Sequence, residues 1–458
     1  MSVKSMNMLK IYKKEIKKAI DPVLAYEGLE GTNKVLLEFP DHRGGRQTII
    51  GLNPYIQVRS SQNEIEVIKQ GNLTRTYGNP LETLKDLTAK YESVQSEIAK
   101  GIGYFGYDFI RNVENIGPAK INDVNTYDMN FLFHSHYVLI QEDGPAQYFL
   151  VDYEGTLGKE MAENILTKQI ARLETFLQME NTEDFKVSGF ISDTGKEHFE
   201  NAVRRLKNHI LEGDIFQAVL SHRFQSSFTG DPFQFFKRLR TYNKSMYRYY
   251  MDFGTYQIAG SSPERLITVQ ENKILSNPIA GTRRRGESPA RDFELEKELL
   301  NDEKERAEHY MLVDLARNDL GKVSKPSTVK VTKLMEIEKY VNVMHLVSDV
   351  EGVLDEQVHF LDTVASSLPA GTVSGAPKIK AMQLLNGIEK TRRGIYGGGI
   401  GYFTHSGNLD LALTIRTMVF TDNKAYLQAG AGIVHDSVPE NEWNETVFKA
   451  QGLMEALK

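Results

Sequence analysis

Residues 256–286 read YQIAGSSPERLITVQENKILSNPIAGTRRRG. Short runs with apolar residues at alternate positions, YQIAGSS, RLITVQ and KILSNPIAG, follow one another with only a few residues between them. Alternation of this kind marks strands, and connections this short are antiparallel ones. A parallel sheet would need a crossover helix between each pair, so the stretch argues for an α+β fold over a doubly wound one. After it comes NPIAGTRRRG (277–286), which reads as a cationic loop between a strand and an acidic helix, with a small alanine at its centre.

The same reading extends in both directions. KVLLEF (34–39), QTIIGLNPYIQV (47–58) and AQYFLVDY (146–153) read as strands, and 158–178 reads as a helix. The polar stretch 179–197 is the linker candidate, dividing the chain into regions 1–178 and 198–458. The second region opens with a helix whose Phe199, Val203, Leu206 and Ile210 form an apolar stripe. It continues with strands at IFQAVLSHRF (215–224), GIGYF (399–403), LALTIRTMVF (411–420) and AYLQAGAGIV (425–434). Helices fit 290–317, 376–387 and 439–457.

The chain has 458 residues, 40% hydrophobic and 25% charged, with a net charge of −6. That balance disfavours a nucleic-acid partner, and the local cationic run points to a small anion. No apolar run reaches the roughly 18–20 residues of a membrane span, and the Lys-rich first twenty residues lack a signal peptide's apolar core. A cytoplasmic protein is expected. There is no cysteine, which excludes disulfides, thiolate metal sites and cysteine nucleophiles.

GIGYFG (101–106) matches G-x-G-x-x-G, but aromatic residues fill the variable positions and no helix start follows, so a tight glycine-rich strand pair is the better reading. In the acidic stretch 292–321 a helix would put Glu305, Glu308 and Leu312 on one face. Ser437 and Glu440 form an S-x-x-E capping pattern, and the helix begun there would align Glu442, Glu445 and Lys449. Taken alone, the helix of 292–321 reads better as a solvated charged surface, and Glu445 with Lys449 reads as a surface pair. Together, two carboxylate pairs supply the oxygen donors that Mg²⁺ prefers. LPAGTVSGAPKIKAM (368–382) and QAGAGI (428–433) offer backbone N–H groups and close approach. Arg416 stands in an otherwise apolar strand and needs an anionic partner. These features suggest a dianionic substrate bound with Mg²⁺.

In order along the chain, PIAGTRRRG, LVDLARNDLG, LPAGTVSGAPKIKAM, YGGGIGYF, LALTIRT and QAGAGIVHDSVPENEWNET resemble the blocks of the chorismate-utilising enzymes. VLLEF, IGLNP and GIGYFGYDFIRNVE extend the likeness toward the N-terminus, into the anthranilate synthase large-subunit branch. The resemblance implies large antiparallel sheets in a sandwich-like core flanked by helices. It implies a lyase that turns chorismate and ammonia, through an aminodeoxyisochorismate intermediate, into anthranilate and pyruvate for tryptophan synthesis. Two positions separate this branch from its relatives: Gln217 stands where water-adding members carry a lysine base, and Ala280 where aminodeoxychorismate synthases carry a lysine nucleophile. An aminodeoxychorismate synthase component I is the alternative, and a catalytically silent paralogue a further one.

By the same resemblance Glu305, Glu308, Glu442 and Glu445 would hold Mg²⁺. Tyr396 and Arg416 would bind the enolpyruvyl carboxylate. The backbone of Gly430, Ala431 and Gly432, with Lys449, would seat the ring carboxylate, and Thr282 would lie near the ring. Glu264 would be the general acid on the departing hydroxyl, with His345 and Thr372 serving hydroxyl loss and pyruvate elimination. Arg283–Arg285 would support the loop or its potential without touching substrate. Ammonia would come from a separate glutamine amidotransferase subunit, since that chemistry uses a cysteine. Glu38, Phe39, Met246 and Tyr247 fall where the family's inhibitor pocket lies. This chain reads LLEF for the usual LLES and NKSMYR for NPSPYM, from which weak or altered tryptophan inhibition is expected.

Overall fold

The computed structural model describes residues 9–40, 45–91, 98, 100–142, 144–176, 184–340 and 343–457. Every strand ladder among them is antiparallel. The α+β reading of 256–286 therefore stands: Gln257–Ser262, Arg265–Gln270, Lys273–Ser276 and Ile279–Arg284 are successive strands.

Several strands are apolar on both faces, because each face meets a core. Val35, Leu37 and Phe39 enter one hydrophobic cluster while Leu36 enters another. Tyr249 and Met251 likewise part from Tyr250, and Ile258 from Ala259. The two-residue period of a strand thus feeds two layers, the sandwich-like core flanked by helices.

Ladders join the two halves of the sequence. Glu38 pairs with Arg248 across Val35–Pro40 and Tyr247–Asp252. Gly103 pairs with Gly401 across Lys100–Phe105 and Gly399–Thr404. GIGYFG is this glycine-rich strand: a Cβ on Gly103 would lie 1.9 Å from the Asn130 carbonyl oxygen. Of the linker candidate, 179–183 lie outside the described residues. Phe185–Val187 and Ile191–Ser192 are strands on Gln217–Gly230, and Lys196 already begins a helix.

Three element boundaries differ from expectation. NPIAGTRRRG is no loop, since Ile279–Arg284 is a strand paired with Val343–Val353. The acidic stretch is two helices, Pro289–Asn301 and Glu303–Gly321; Asp302 lies between them and accepts hydrogen bonds from the Lys304 and Glu305 amides. LALTIRTMVF is two strands, Leu409–Leu413 and Thr417–Thr421, with Arg416 in the connecting turn at φ 49°. No helix among the described residues is long and apolar enough to cross a membrane.

Candidate active site

Ile279–Arg284 and Val343–Val353 pair Thr282 with His345 and Ala280 with Leu346, so Gly281 is extruded as a bulge. Gly281 has φ 65°, and a Cβ there would lie 3.0 Å from Leu299 Cδ1 and 3.3 Å from Glu305 Oε2. The bulge turns its carbonyl toward His345, whose Nδ1 is 3.0 Å away and 3.1 Å from Thr282 Oγ1. A carbonyl only accepts, so Nδ1 carries the hydrogen and the neutral ring leaves its lone pair on Nε2. Burial lowers the imidazole pKa and Arg416 adds to the effect, while the Gly281 carbonyl and Glu338 oppose it. The ring is therefore neutral at pH 7, fit to take a proton at Nε2. Gly281→Ala is expected to cost about 1–2 kcal/mol of stability through the left-handed backbone alone. It should also lower turnover about tenfold by moving the carbonyl, read by urea unfolding and kcat.

Arg283 and Arg285 are both engaged by carboxylates of the protein. Arg283 lies 3.1 Å from Glu298, 2.8 Å from Asp302 and 3.1 Å from Glu305. Arg285 grips Asp292 with two hydrogen bonds of 2.8 and 2.9 Å, holding that carboxyl well below its usual range. Both arginines pin the acidic helices to the strand, and Arg284 is exposed.

Glu264 lies between Gln257–Ser262 and Arg265–Gln270 and is 8% exposed. Burial pushes its carboxyl up to about 7, against the opposing pull of the Thr372 hydroxyl, Arg416 and Lys449. Thr372 donates to Glu264 Oε1 at 2.8 Å. A carboxyl half protonated near neutrality is a proton donor. Arg416 makes no salt bridge to any described carboxylate. Solvent reaches it, yet the protein crowding it lowers its pKa, with Glu264 and Tyr340 pulling the other way. A guanidinium open to solvent on one side, with no salt bridge to a described carboxylate, can receive an anion.

Along QAGAGI the strand period puts Gly430 and Gly432 on one face and Ala431 on the other. Gly430 leaves room for the Tyr396 hydroxyl, 2.6 Å from the place a Cβ would take, and Gly432 for Gln217 Nε2 at 2.6 Å. The Ala431 methyl points to the opposite face, into a core with Leu220 and Phe199, so only its backbone can serve a ligand. Lys449 donates to the Gly430 carbonyl at 2.9 Å and pairs with Glu445 at 2.7 Å. Sequence reasoning missed Arg393. It is buried behind Tyr396, donates to the Val373 and Val219 carbonyls at 2.6 and 2.7 Å, and is paired with Glu389. It thereby ties the Thr372 segment to the Gln217–Gly230 strand, a role that an arginine between Thr391 and Gly394 does not advertise.

The four glutamates come from helices Glu303–Gly321 and Pro439–Met454. The second helix is not capped as expected. Val438 is its N-cap, the Ser437 hydroxyl accepts from the Val434 amide, and Glu440 pairs with Lys196. The carboxylates nevertheless face each other. Burial raises the pKa of Glu308, and Glu305 and Glu445 raise it further, the latter from the opposite helix. Burial and Glu445 do the same to Glu442. As they stand no three of the four converge: Arg283 holds Glu305, Lys449 holds Glu445, and Gln217 Nε2 donates to Glu308 at 3.1 Å. Gln217 Oε1 is buried without a partner. Repelling carboxylates beside an orphaned amide oxygen form an all-oxygen donor set, which fits a hard divalent cation.

Away from this cleft, Glu38 is buried with Arg240 at 3.0 Å and Arg248 at 2.6 Å. The Phe39 ring lies 4.9 Å from that of Tyr402, the Met246 carbonyl accepts from Arg46, and the Tyr247 hydroxyl donates to Asp410 at 2.7 Å. These four residues thus gather around one ladder.

A family model described as chorismate binding enzyme matches residues 32–455. The anthranilate synthase component 1 of Lactococcus lactis subsp. lactis (strain IL1403) is 42% identical over 444 residues, covering 94% of this chain and 96% of its own. That of Aquifex aeolicus (strain VF5) is 41% identical over 448 residues, covering 94% and 90%. The crystal structure of anthranilate synthase component I from Streptococcus pneumoniae TIGR4 superposes with a TM-score of 0.79 at 37% identity, over 96% of this chain and 98% of that one. The menaquinone-specific isochorismate synthase of Escherichia coli, at 18% identity and a TM-score of 0.77, shares the fold. Motifs, cleft and kinship agree: the chain belongs to the chorismate-binding enzyme family.

Proposed function

We infer that this chain is the component 1 of an anthranilate synthase, converting chorismate and ammonia into anthranilate and pyruvate in tryptophan biosynthesis. The observation that carries this reading is a buried Glu264 carboxyl, held by the Thr372 hydroxyl at 2.8 Å, facing an Arg416 that makes no salt bridge to a described carboxylate. Arg416 and the Tyr396 hydroxyl receive the enolpyruvyl carboxylate. Glu264 gives its proton to the departing hydroxyl, which leaves as water. Ammonia forms the new C–N bond on the side where Ala280 offers only a methyl group. The nitrogen's surplus proton returns to Glu264, which Thr372 keeps oriented. Nε2 of His345 then takes the ring proton as the C–O bond to the enolpyruvyl group breaks, and the enolpyruvate released is protonated at its methylene carbon to give pyruvate. Gln217, its amide committed to Glu308, supplies no base to activate water.

Glu305, Glu308, Glu442 and Glu445 are proposed to hold Mg²⁺, which would neutralise the ring carboxylate and orient it. The ammonia donor is proposed to be a glutamine amidotransferase subunit, because a chain without cysteine cannot form a thioester with glutamine. The test is the purified chain with chorismate, Mg²⁺ and ammonium chloride, read by product mass and anthranilate fluorescence. Anthranilate without glutaminase activity is expected; aminodeoxychorismate, or no consumption of chorismate, would overturn the assignment. In the same assay tryptophan should inhibit weakly, since the Phe39 ring fills space against Tyr402 and supplies no hydroxyl. Submicromolar inhibition would contradict that reading of Phe39.

A further inference from the structure

The catalytic reading leaves unexplained Tyr340, which follows Lys330–Lys339 and sits beside His345. Their ring centroids are 5.5 Å apart and inclined at 63°, an edge-to-face contact. We propose that Tyr340 is a positioning residue for His345, its ring holding the imidazole against the Gly281 carbonyl. The proposal rests on the function assigned to His345 above.

Hydrogen bonds from one edge of an imidazole do not fix its plane. The Gly281 carbonyl and Thr282 hydroxyl engage Nδ1 only, and a pivot about the Cβ–Cγ bond would swing Nδ1 away from both at once. A rigid neighbour on another side closes that freedom, and Tyr340 is held as one. Its backbone carbonyl accepts from Arg285 at 2.8 Å, its amide donates to the Val343 carbonyl at 2.8 Å, and its hydroxyl donates to Glu338 at 2.9 Å. Arg285 is in turn clamped on Asp292, and Lys339 pairs with Glu296 at 2.7 Å. Tyr340 is half-buried and belongs to none of the hydrophobic clusters among the described residues, so core packing does not account for it. Arg416 and Glu264 both perturb its phenol, which places it on the cleft side, while burial, the largest influence, keeps it protonated. The first and third arginines of the RRR run thus differ in role: Arg283 anchors the acidic helices, and Arg285 carries the clamp through to the proton acceptor.

Three variants of the full chain test this, with His345→Gln used to assign the His345 imidazole resonances. In Tyr340→Leu, kcat should fall about tenfold with KM changed less than about twofold. Long-range ¹⁵N–¹H spectra should show the single Nδ1-protonated tautomer of the parent becoming a mixture. Tyr340→Phe, which keeps the ring, should stay within about threefold of the parent in kcat. Arg285→Ala, which leaves Tyr340 in place but frees its backbone, should show the same tautomer mixing, and it decides the matter if Tyr340→Leu does not fold. The charged groups facing the imidazole, Arg416 and Glu338, are retained in all three, and Tyr340→Phe shows by itself what losing the hydroxyl's bond to Glu338 does. An unchanged His345 spectrum, an unchanged kcat, or a rise in KM alone would each overturn the proposal. Failure of the parent to make anthranilate would instead strike the functional assignment, since the spectra need no turnover.

Discussion

Glu264→Gln is expected to lower turnover about a thousandfold, the scale of a lost general acid, and yet to stabilise the fold at alkaline pH. Both effects come from burial. In the folded protein the carboxyl titrates near 7, above an ordinary value of 4.5, so the native state binds its proton more tightly than the unfolded chain does. The stability gained from that proton is complete below about pH 4.5 and is lost as pH rises through 7. Above 7 the protein holds a buried charge that Thr372, Arg416 and Lys449 offset only in part. Glutamine has the same shape and never ionises, so its advantage over the parent should be absent at pH 4.5 and reach about 2–3 kcal/mol at pH 8. Urea unfolding at the two pH values measures it, and an equal difference at both would refute the assignment of Glu264 as a raised acid. The kcat/KM profile of the parent should follow: the alkaline limb near pH 7 as Glu264 ionises, and the acid limb below 6.5 as His345 gains its proton.

Removal of divalent metal should have the next largest effect. EDTA is expected to lower turnover by about a hundredfold or more, with recovery on adding Mg²⁺. The carboxylates offer a second readout that needs no substrate. Glu308 and Glu442 have raised pKa values through burial first and neighbouring glutamates second, so the ion-free cluster is destabilised as pH rises through them. Mg²⁺ should therefore raise Tm in a concentration-dependent way at pH 7.5, and less at pH 5 where protons compete. Glu308→Gln should be more stable than the parent without Mg²⁺ and gain less from its addition. A parent whose Tm ignores Mg²⁺ would remove these four residues from consideration as ligands.

The carboxylate pairs were legible because a helix repeats every 3.6 residues: Glu305 with Glu308, and Glu442 with Glu445, must share a face. The antiparallel sheet was legible because short alternating runs leave no room for crossovers. What failed was local. Asp302 breaks the acidic helix, yet an N-capping aspartate in a charged run looks like any solvated residue. Arg416 takes a left-handed backbone without the usual glycine or asparagine, and the β-branched residues around it read as unbroken strand. Ser437 matched a capping pattern, but its hydroxyl is taken by the Val434 amide, a contact set by the preceding turn. Tyr340 and Arg393 belong to no short pattern. Their roles arise from strands that meet only after folding.

The shared ladders between early and late strands have a consequence for how the chain can be handled. Removing residues 1–178 would unzip Val35–Pro40 from Tyr247–Asp252 and Lys100–Phe105 from Gly399–Thr404, baring two edges lined with apolar side chains. Such edges recruit other strands, so a fragment carrying every proposed catalytic group should self-associate instead of working. The amino-terminal portion acts here as a molecular selvedge, and chemistry at Glu264 depends on a border it never touches.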